Sequence, residues 1–316
     1  MYGLKQKSFK NPATNAIAGS LLILSMFIWL MVISPDHGGL INTELSENLQ
    51  IDFINVGEGD AILISTPKGK KFLVDGGADA SDKEVASTGR ERIHEVLSRN
   101  AVKHLNGIIV THWHNDHLTG LIPVVKNTSI DYIYETPARG KGKGFESFAQ
   151  ACEATKVARQ KIHAGMLLNM GDELFVQILH PDESPLSKDY TDQNNASLVL
   201  LIRYGRVQVL LTGDIENEGI REIMKYGDGI KSQIIKIPNH GSDSGLYEPF
   251  IEAVNAKVGI IMTGEKNGYG HPSLRNISAY EKAGTRVYRT DRQGNIRLLV
   301  GGKDENDFRI VVDQKL

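Results

Sequence analysis

The stretch IIVTHWHNDHLTG, residues 108–120, decides how the rest of the chain is interpreted. An apolar run leads directly into His112, His114, Asp116 and His117. On an extended chain, alternate side chains point to the same side, so His112 and His114 share one face. The residues that follow have the pattern of a helix start, and a strand end feeding a helix can gather four ligand-type side chains. Imidazole and carboxylate together suit zinc, and also manganese or iron.

Two other apolar segments end in residues that could join this group. VQVLLTGDI, residues 207–215, delivers Asp214, and SQIIKIPNHGS, residues 232–242, delivers His240. Asp214 alone could equally be a helix cap, because ENEGIREI follows it. Beside a histidine-rich loop, a bridging carboxylate is the better interpretation. KKFLVDGG, residues 70–77, ends in Asp75 and two glycines.

Composition sets broad limits on function. The chain has 316 residues, 41% hydrophobic and 23% charged, which is ordinary for a folded domain. A formal net charge of −2 argues against a globally basic nucleic-acid binder, although a local basic groove stays compatible with it. The single cysteine, Cys152, cannot form an internal disulfide.

The N-terminal region predicts a membrane anchor. Residues 16–34 are uncharged and long enough to cross a bilayer as a helix. Lys5, Lys7 and Lys10 precede this run and acidic residues follow it, which places the N-terminus in the cytoplasm and the remainder outside. No A-x-A-like cleavage site ends the run, so an uncleaved single-pass anchor in the cell membrane is favoured over a cleaved signal peptide and secretion.

The predicted domain organisation follows from this anchor. Residues 1–15 form a cytoplasmic basic tail, 16–34 the anchor, 35–48 a linker and 49–316 one compact domain. Early strand hairpins and later alternation of strands and helices predict two sheets with helices outside them, an α/β fold. A helix is expected over residues 144–160, GFESFAQACEATKVARQ.

These motifs carry a family resemblance. THWHNDH resembles the H-x-H-x-D-H signature of the metallo-β-lactamase superfamily, and FLVDGG, LLTGDI and IPNHGS resemble its other motifs in their usual order. INVGEGDAILI, KIPNHGSDSG and GYGHP are similar to the hydrolase domain of the ComEC type, from bacterial DNA-uptake channels. Phosphorylcholine esterases share much of this pattern. The resemblance implies an αββα four-layer sandwich with a two-metal site at one edge.

The resemblance also implies roles for individual residues. His112 and His114 would bind a first metal, Asp116, His117 and His240 a second, and Asp214 would bridge them. Asp75 would hydrogen-bond behind the ligands and orient a histidine; a turn-capping aspartate is the alternative.

Two departures from the family pattern stand out. The segment TDQNNASL, residues 191–198, lacks the usual additional histidine for the first metal. Asn194, Asn195, a water or His180 could fill that position. PNHGS has asparagine where relatives commonly have the first of two histidines, so His240 is the expected ligand.

Two further features have open interpretations. His271, in the loop NGYGHPS, could bind a phosphate or protonate a leaving group, or be an ordinary loop histidine. Arg139, Lys141 and Lys143 could receive a polyanion or form a solvated basic loop. The remaining histidines singled out as structural are His94, His104 and His163.

The expected chemistry is metal-assisted hydrolysis. Two divalent ions, zinc by preference, would lower the pKa of a shared water and supply hydroxide, with Asp116 orienting it and accepting a proton. A phosphodiesterase or nuclease is the first choice, and no organic cofactor is expected. The alternatives are hydrolysis of a cell-surface phosphoester, carboxylic ester or lactone, and a non-catalytic binding module of the envelope or of DNA uptake.

Overall fold

The computed structural model describes residues 48–77, 83–183, 192–265 and 267–313. These residues belong to one compact unit, Leu45–Leu316. The predicted anchor at residues 16–34 lies outside them, so its structure and orientation stay predictions. Within the described residues, no helix combines the length and apolar character that a bilayer crossing requires.

The strands of the domain are short and numerous. In chain order they are β1 Leu49–Phe53, β2 Ile62–Ser65, β3 Lys71–Val74, β4 His104–Leu105, β5 Gly107–Val110, β6 Ser129–Ile130, β7 Tyr132–Glu135, β8 Ala158–Lys161, β9 Leu167–Asn169, β10 Phe175–His180, β11 Val199–Tyr204, β12 Val207–Leu211, β13 Ile234–Lys236, β14 Val258–Ile261, β15 Arg286–Arg289, β16 Ile296–Val300 and β17 Phe308–Val312.

The helices alternate with these strands. They are α1 Lys83–Arg99, α2 Asn115–Leu118, α3 Leu121–Asn127, α4 Lys143–Thr155, α5 Asn217–Ile223, α6 Glu248–Val254, α7 Leu274–Lys282 and α8 Thr290–Gln293. Short 3₁₀ turns cover Gln193–Ala196, Met224–Ile230 and Pro238–Gly241.

Two large sheets organise the domain. Sheet 1 has the order β17-β16-β1-β2-β3-β5-β7-β8, and sheet 2 has the order β15-β14-β13-β12-β11-β10-β9. In sheet 1 the strands from β3 to β8 are parallel, as are those from β12 to β15 in sheet 2. The carboxyl ends of parallel strands meet at one edge of a sheet, and ligand residues gather there.

Three apolar clusters separate four layers. The central cluster joins the inner faces of both sheets, through residues such as Ile51, Ile64, Leu200 and Val209. A second cluster packs the outer face of sheet 1 against α1, α3 and α4. A third packs the outer face of sheet 2 against α5, α6 and α7. The predicted α/β fold with two sheets inside and helices outside is therefore confirmed.

The continuous apolar character of β5 has a simple origin. Ile109 faces the central cluster, whereas Ile108 and Val110 face the helices on the other side of sheet 1. A strand that is buried on both faces has no polar alternation, as is usual for parallel sheets covered by helices.

The helix expected over 144–160 is shorter in the structure. It ends at Thr155, and Lys156 adopts a left-handed conformation with φ of 56°. The last residues of the expected helix form β8, where Ala158 pairs with Tyr132 of β7. Pairing with the open edge of sheet 1 outweighs the helical periodicity of the sequence.

Candidate metal centre

Four of the expected ligands converge at the shared edge of the two sheets. The ligand atoms of Asp116, His117, Asp214 and His240 all lie within 4.8 Å of one another. Asp214 Oδ2 lies 3.0 Å from His117 Nε2 and 2.9 Å from His240 Nε2. Asp116 Oδ2 lies 3.4 Å from His240 Nε2. Residues from α2, from the loop after β12 and from the turn after β13 thus form one cluster.

The tautomers of two histidines suit metal binding through Nε2. His240 Nδ1 lies 2.8 Å from the carbonyl oxygen of Met262, which can only accept, so Nδ1 carries the proton. His117 Nδ1 lies 2.8 Å from Asp75 Oδ2 and donates to it in the same way. A metal-binding imidazole ordinarily donates its other N–H to a carboxylate or a carbonyl. Both histidines have this arrangement.

One orphaned atom supports the fit of a cation. His240 Nε2 is buried and makes no hydrogen bond of acceptable geometry, although Asp214 Oδ2 is 2.9 Å away. An imidazole nitrogen beside carboxylate oxygens, once a metal ion displaces any proton on it, is the donor set that zinc, manganese or iron would take. The residues therefore fit a divalent metal ion.

His112 and His114 lie beside this cluster. The imidazole of His112 is fully buried, and its ring centroid is 4.2 Å from that of His117. Its Nδ1 contacts Thr111 Oγ1 at 3.1 Å, while its Nε2 lies 3.2 Å from His114 Nδ1. The structure thus brings together all six residues expected from the sequence as ligands, while their roles stay predictions.

Asp75 lies directly behind the histidines. Its φ of 56° is in the left-handed region, and its side chain is completely buried. One carboxylate oxygen accepts the Thr111 N–H at 2.8 Å, and the other accepts from Thr111 Oγ1 at 2.6 Å and from His117 Nδ1. The carboxylate thereby fixes the strand end that leads into His112.

Burial and charge shift the pKa values of the clustered groups in opposite directions. Burial disfavours the imidazolium of His117, but Asp214, Asp116 and Asp75 together raise its pKa well above the ordinary value. Against the same burial effect, Asp214 and Asp116 raise the pKa of His240. For His112, burial and the neighbouring His117 lower the pKa well below normal. Without metal, His117 and His240 therefore hold protons against the carboxylates.

The pKa values of the two carboxylates, Asp214 and Asp116, are shifted downwards by the same charges. Burial alone would raise the pKa of Asp214, but His117, His240 and Lys236 hold it well below its usual range. The pKa of Asp116 is likewise lowered, mainly by His117 and His240 against the burial effect. Both carboxylates are therefore ionised and available to a cation.

Sequence reasoning missed an ion pair at the back of the cluster. Lys236 is completely buried, and its Nζ lies 2.7 Å from Asp60 Oδ2 and 3.1 Å from Asp214 Oδ1. It also donates to the Gly213 carbonyl at 2.7 Å. Burial lowers the pKa of Lys236, but Asp60 and Asp214 reverse this and raise it. A lysine within the apolar run SQIIKIP was the signal in the sequence.

The turn that carries His240 has unusual backbone geometry. Asn239 and His240 have φ values of 44° and 50°, in the left-handed region that disfavours side chains. The side-chain nitrogen of Asn239, Nδ2, donates to Glu216 Oε1 at 2.8 Å and to Ser244 Oγ at 2.9 Å. Such conformations persist only where surrounding contacts hold them, and they concentrate at functional sites.

A glycine permits the approach of the loop that precedes Asp60. Gly59 has φ of +104°, and a β-carbon there would overlap the carbonyl oxygen of Asp116. Only glycine allows both the conformation and this close approach. The glycine-rich turn between β1 and β2 is thus fitted against the ligand helix α2.

His180, Asn194 and Asn195 are the three residues expected to replace the missing histidine of the first metal site, and their surroundings differ. His180 is buried, donates from Nδ1 to the Ser197 carbonyl at 2.9 Å and faces Glu222 at 3.3 Å. Asn195 Oδ1 accepts two backbone N–H groups at 3.0 Å. Asn194 lines the cleft over the cluster, and its buried Oδ1 has no hydrogen-bond partner among the described residues.

An open cleft of about 340 Å³ gives access to the cluster. It is lined by Glu58, His114, Asn115, Asp116, Asn194, Asp214, Asn239, His240 and Tyr269. The basic loop at Arg139–Lys143 adjoins it, because a β-carbon at Gly144 would overlap Asn115 Oδ1. Arg139, Lys141 and Lys143 are exposed.

His271 lies beside three residues that line the cleft, His240, Glu58 and Tyr269. Its ring stacks on that of His240 with centroids 6.2 Å apart, and its Nδ1 is 3.7 Å from Glu58 Oε1. Asn267 holds the loop by bonding both the N–H and the carbonyl of His271. Glu58, which sequence reasoning did not single out, is buried, and its Oε1 makes no hydrogen bond within the described residues.

Comparisons with known proteins agree with this architecture. The Metallo-beta-lactamase superfamily model matches residues 54–265, more than half of the chain. ComE operon protein 3 of Bacillus subtilis is 29% identical over 262 residues, covering 80% of this chain and 33% of that protein. Competence protein ComA of Neisseria gonorrhoeae is 26% identical over 248 residues, covering 78% and 32% respectively. The chain thus spans about a third of the length of these relatives.

A solved structure supports the fold. A variant of the CmlA β-hydroxylase superposes with a TM-score of 0.50 at 13% identity, covering 87% of this chain and 60% of that one. The likeness to the ComEC-type domain that the motifs suggested is confirmed by the competence relatives. The family match and the ligand cluster lead to one conclusion: the chain belongs to the metallo-β-lactamase superfamily and is a metal-dependent hydrolase.

Proposed function

We propose that the chain hydrolyses phosphodiesters, with a nucleic-acid strand as the substrate, at a site for two divalent ions, zinc by preference. The observation that carries the proposal is the position of Asp214 Oδ2 between His117 Nε2 and His240 Nε2, with Asp116 beside them. His112 and His114 would hold the first ion, and Asp116, His117 and His240 the second. Asp214 would contact both.

Asn194 is the residue we assign to the incomplete first position. Its Oδ1 is a buried acceptor without a partner in the described part of the chain, and it lines the cleft. The ligand-type nitrogen of His180, Nε2, faces Glu222 at 3.3 Å, and Asn195 Oδ1 already accepts two backbone N–H groups. An amide oxygen is a weaker zinc ligand than imidazole, so the first ion is expected to bind less tightly than the second.

The protein's own residues would perform the remaining steps. Two bound ions would polarise the phosphoryl oxygen and make a water nucleophilic at neutral pH. Asp116 would orient that water and accept its proton, since its carboxylate is ionised at the wall of the cleft. Asp75 would keep His117 in the tautomer that presents Nε2. His271, at the cleft and stacked on His240, would donate a proton to the leaving oxygen.

The substrate class rests on the surroundings of the cleft. Arg139, Lys141 and Lys143 are exposed and precede Gly144, which packs against Asn115 of the cleft lining, and a basic loop in this position suits a polyanion. The relatives include a competence protein, and competence is the uptake of DNA, which supports the choice of a nucleic-acid substrate in this proposal. These relatives are about three times longer than the matched segment, so their whole activity is not transferred.

The test compares three substrate classes. The purified full chain, loaded with zinc or manganese, is assayed on single-stranded DNA, bis-p-nitrophenyl phosphate and a lactone. We expect cleavage of both phosphodiesters, and loss of this activity in Asp214→Ala but not in Asp228→Asn, an exposed control. Cleavage of the lactone alone would favour the ester alternative. Full metal occupancy without any cleavage would favour the binding module.

The proposed location is the outer side of the cell membrane, with residues 16–34 as a single anchor. Protease treatment of intact spheroplasts should remove the domain and leave a membrane-bound N-terminal fragment. Protection until lysis would reverse the orientation. A released product lacking residues 16–34 would show a cleaved signal peptide instead.

A further inference from the structure

Three aromatic rings form a continuous stack from the metal centre to the solvent. His240 stacks on His271 with centroids 6.2 Å apart and planes at 24°. His271 stacks in turn on Tyr269, with centroids 5.8 Å apart and planes at 19°. His240 is buried, whereas Tyr269 is 74% exposed at the mouth of the cleft. The stack therefore ends in an open aromatic face.

The exposure of Tyr269 is unusual for a residue of its type in this domain. One face of its ring contacts His271, so the exposed fraction belongs mainly to the opposite face. Asn267 bonds His271 twice and Gly264 once, which ties together residues on either side of Tyr269. A preorganised aromatic face that remains in water is suited to a planar ligand that completes the stack.

We propose that Tyr269 is a stacking platform for a nucleobase adjacent to the scissile phosphate. The phosphate would lie in the cleft beside Asp116 and Asp214, with the base against the outer face of Tyr269. The strand would continue past Asn115, which also lines the cleft, towards the basic loop at Arg139–Lys143, since Gly144 after that loop packs against Asn115. This inference rests on the proposed function and specifies how the substrate is held.

A stacking platform would bind any nucleobase, so the protein's preference for base-bearing strands would not depend on their sequence. Every base has a π face, and stacking on one aromatic side chain contributes about 5- to 150-fold in affinity. The platform would therefore select base-bearing strands over a bare sugar-phosphate chain. Tyr269 would be a specificity residue, since its ring touches the base and not the reacting atoms.

The test uses two strands that differ only in their bases. A short oligothymidylate is compared with an abasic oligomer of the same length and charge. We would measure kcat/KM with the metal-loaded full chain. Fluorescence anisotropy would give the Kd of each strand for the metal-free protein, prepared with a chelator. Tyr269→Ala should lose roughly tenfold or more on the oligothymidylate and nothing on the abasic strand. Tyr269→Phe and Tyr269→Trp should retain the wild-type preference.

Tyr132 supplies a matched control. It is also an exposed tyrosine, stacked on Tyr134 with centroids 6.1 Å apart, but it does not line the cleft. Tyr132→Ala should leave both strands unaffected. Equal losses on both strands in Tyr269→Ala, or no loss on either, would overturn the platform while leaving the phosphodiesterase proposal intact. Failure of the wild-type protein to cleave either strand or bis-p-nitrophenyl phosphate would overturn both.

Discussion

At the scale of single residues, Asp116 is the group whose chemistry is most separable from folding. Its carboxylate faces the cleft, and its side chain is 24% exposed, whereas His117 and Asp214 are buried. No apolar cluster of the domain includes it. A substitution there should therefore affect the reaction and spare the core.

We expect Asp116→Asn to reduce kcat on a phosphodiester by about a hundredfold or more, a barrier increase on the order of 3 kcal/mol. The amide keeps the size of the side chain but can no longer accept a proton from the attacking water. Steady-state kinetics at saturating metal measure the effect, with circular dichroism to verify the fold. Asp131→Asn, an exposed aspartate paired with His104, is the control. Near-wild-type turnover in Asp116→Asn would remove Asp116 from the reaction.

The ligand residues that the sequence pattern could predict are those in local motifs. His112, His114, Asp116 and His117 are close in the chain, so their convergence needs only one strand end and one helix start. Asp60 and Lys236 escaped prediction because their pairing joins segments far apart in sequence. The apolar run around Lys236 is a local signal of burial, but no local feature identifies the carboxylates that neutralise it. Glu58 and Tyr269 were missed for the same reason, since only the folded cleft brings them near His271.

At the scale of elements, the Asp60–Lys236 pair connects the two sheets behind the ligands. Asp60 comes from the turn between β1 and β2 of sheet 1, and Lys236 ends β13 of sheet 2. Both side chains are essentially buried, at 2% and 0% exposure. Lys236 also occupies Asp214 Oδ1, which leaves Oδ2 to face the histidines. The pair therefore ties the position of Asp214 to the packing of the sheets.

We expect Lys236→Met to lower the free energy of unfolding of the metal-free protein by about 3–5 kcal/mol, because it leaves Asp60 buried without the ammonium group at 2.7 Å and removes one of the three cations around Asp214. Asp60→Asn with Lys236→Met should recover part of this loss, since position 60 then carries no charge. Urea unfolding followed by circular dichroism measures both. Lys231→Met, at an exposed pair with Asp228, is the control. An unchanged stability in Lys236→Met would show that the pair does not connect the sheets energetically.

Element boundaries show the limits of periodicity. The strands that deliver Asp75, Asp214 and His240 were predicted because apolar runs with abrupt polar ends are distinctive. The helix at 144–160 was too long because its last residues have no local signal against the helix and pair with β7 instead. Edge pairing depends on the assembled sheet, which no window of sequence contains.

At the scale of the whole molecule, the metal centre should make stability depend on pH. In the metal-free protein the pKa values of His117 and His240 are raised. Their stabilising effect is therefore complete below a pH of about 6.5, the ordinary histidine pKa, and is lost as the pH rises through the folded-state pKa values. Asp214 and Asp116 have lowered pKa values, so their contribution is present above about 4 and is lost in acid. Two further groups act in opposite directions between these values: the contribution of His112, whose pKa is lowered by burial, is lost as pH falls below about 6.5, and that of Asp75, whose pKa is raised by burial, is lost as pH rises above about 4.

We therefore expect the Tm of the chelated protein to be highest at mildly acidic pH, between about 4 and 6.5, and to fall towards alkaline pH. Metal binding displaces the protons of His117 and His240, so the gain in Tm on adding zinc or manganese should increase with pH. Differential scanning fluorimetry across pH, with and without metal, measures both trends. His104→Gln, an exposed histidine paired with Asp131, should keep the same profile. A gain in Tm independent of pH would contradict this assignment of protons.

The most direct test of the two-metal centre is the metal content of the full chain by elemental analysis after reconstitution and desalting. The account predicts up to two zinc or manganese ions per chain, with the first more easily lost. In Asp214→Ala, repulsion between the ions is no longer compensated, so at most one should remain, while Asp228→Asn should match the wild type. A folded wild-type chain that takes up no metal, or an Asp214→Ala variant with unchanged content, would contradict the account.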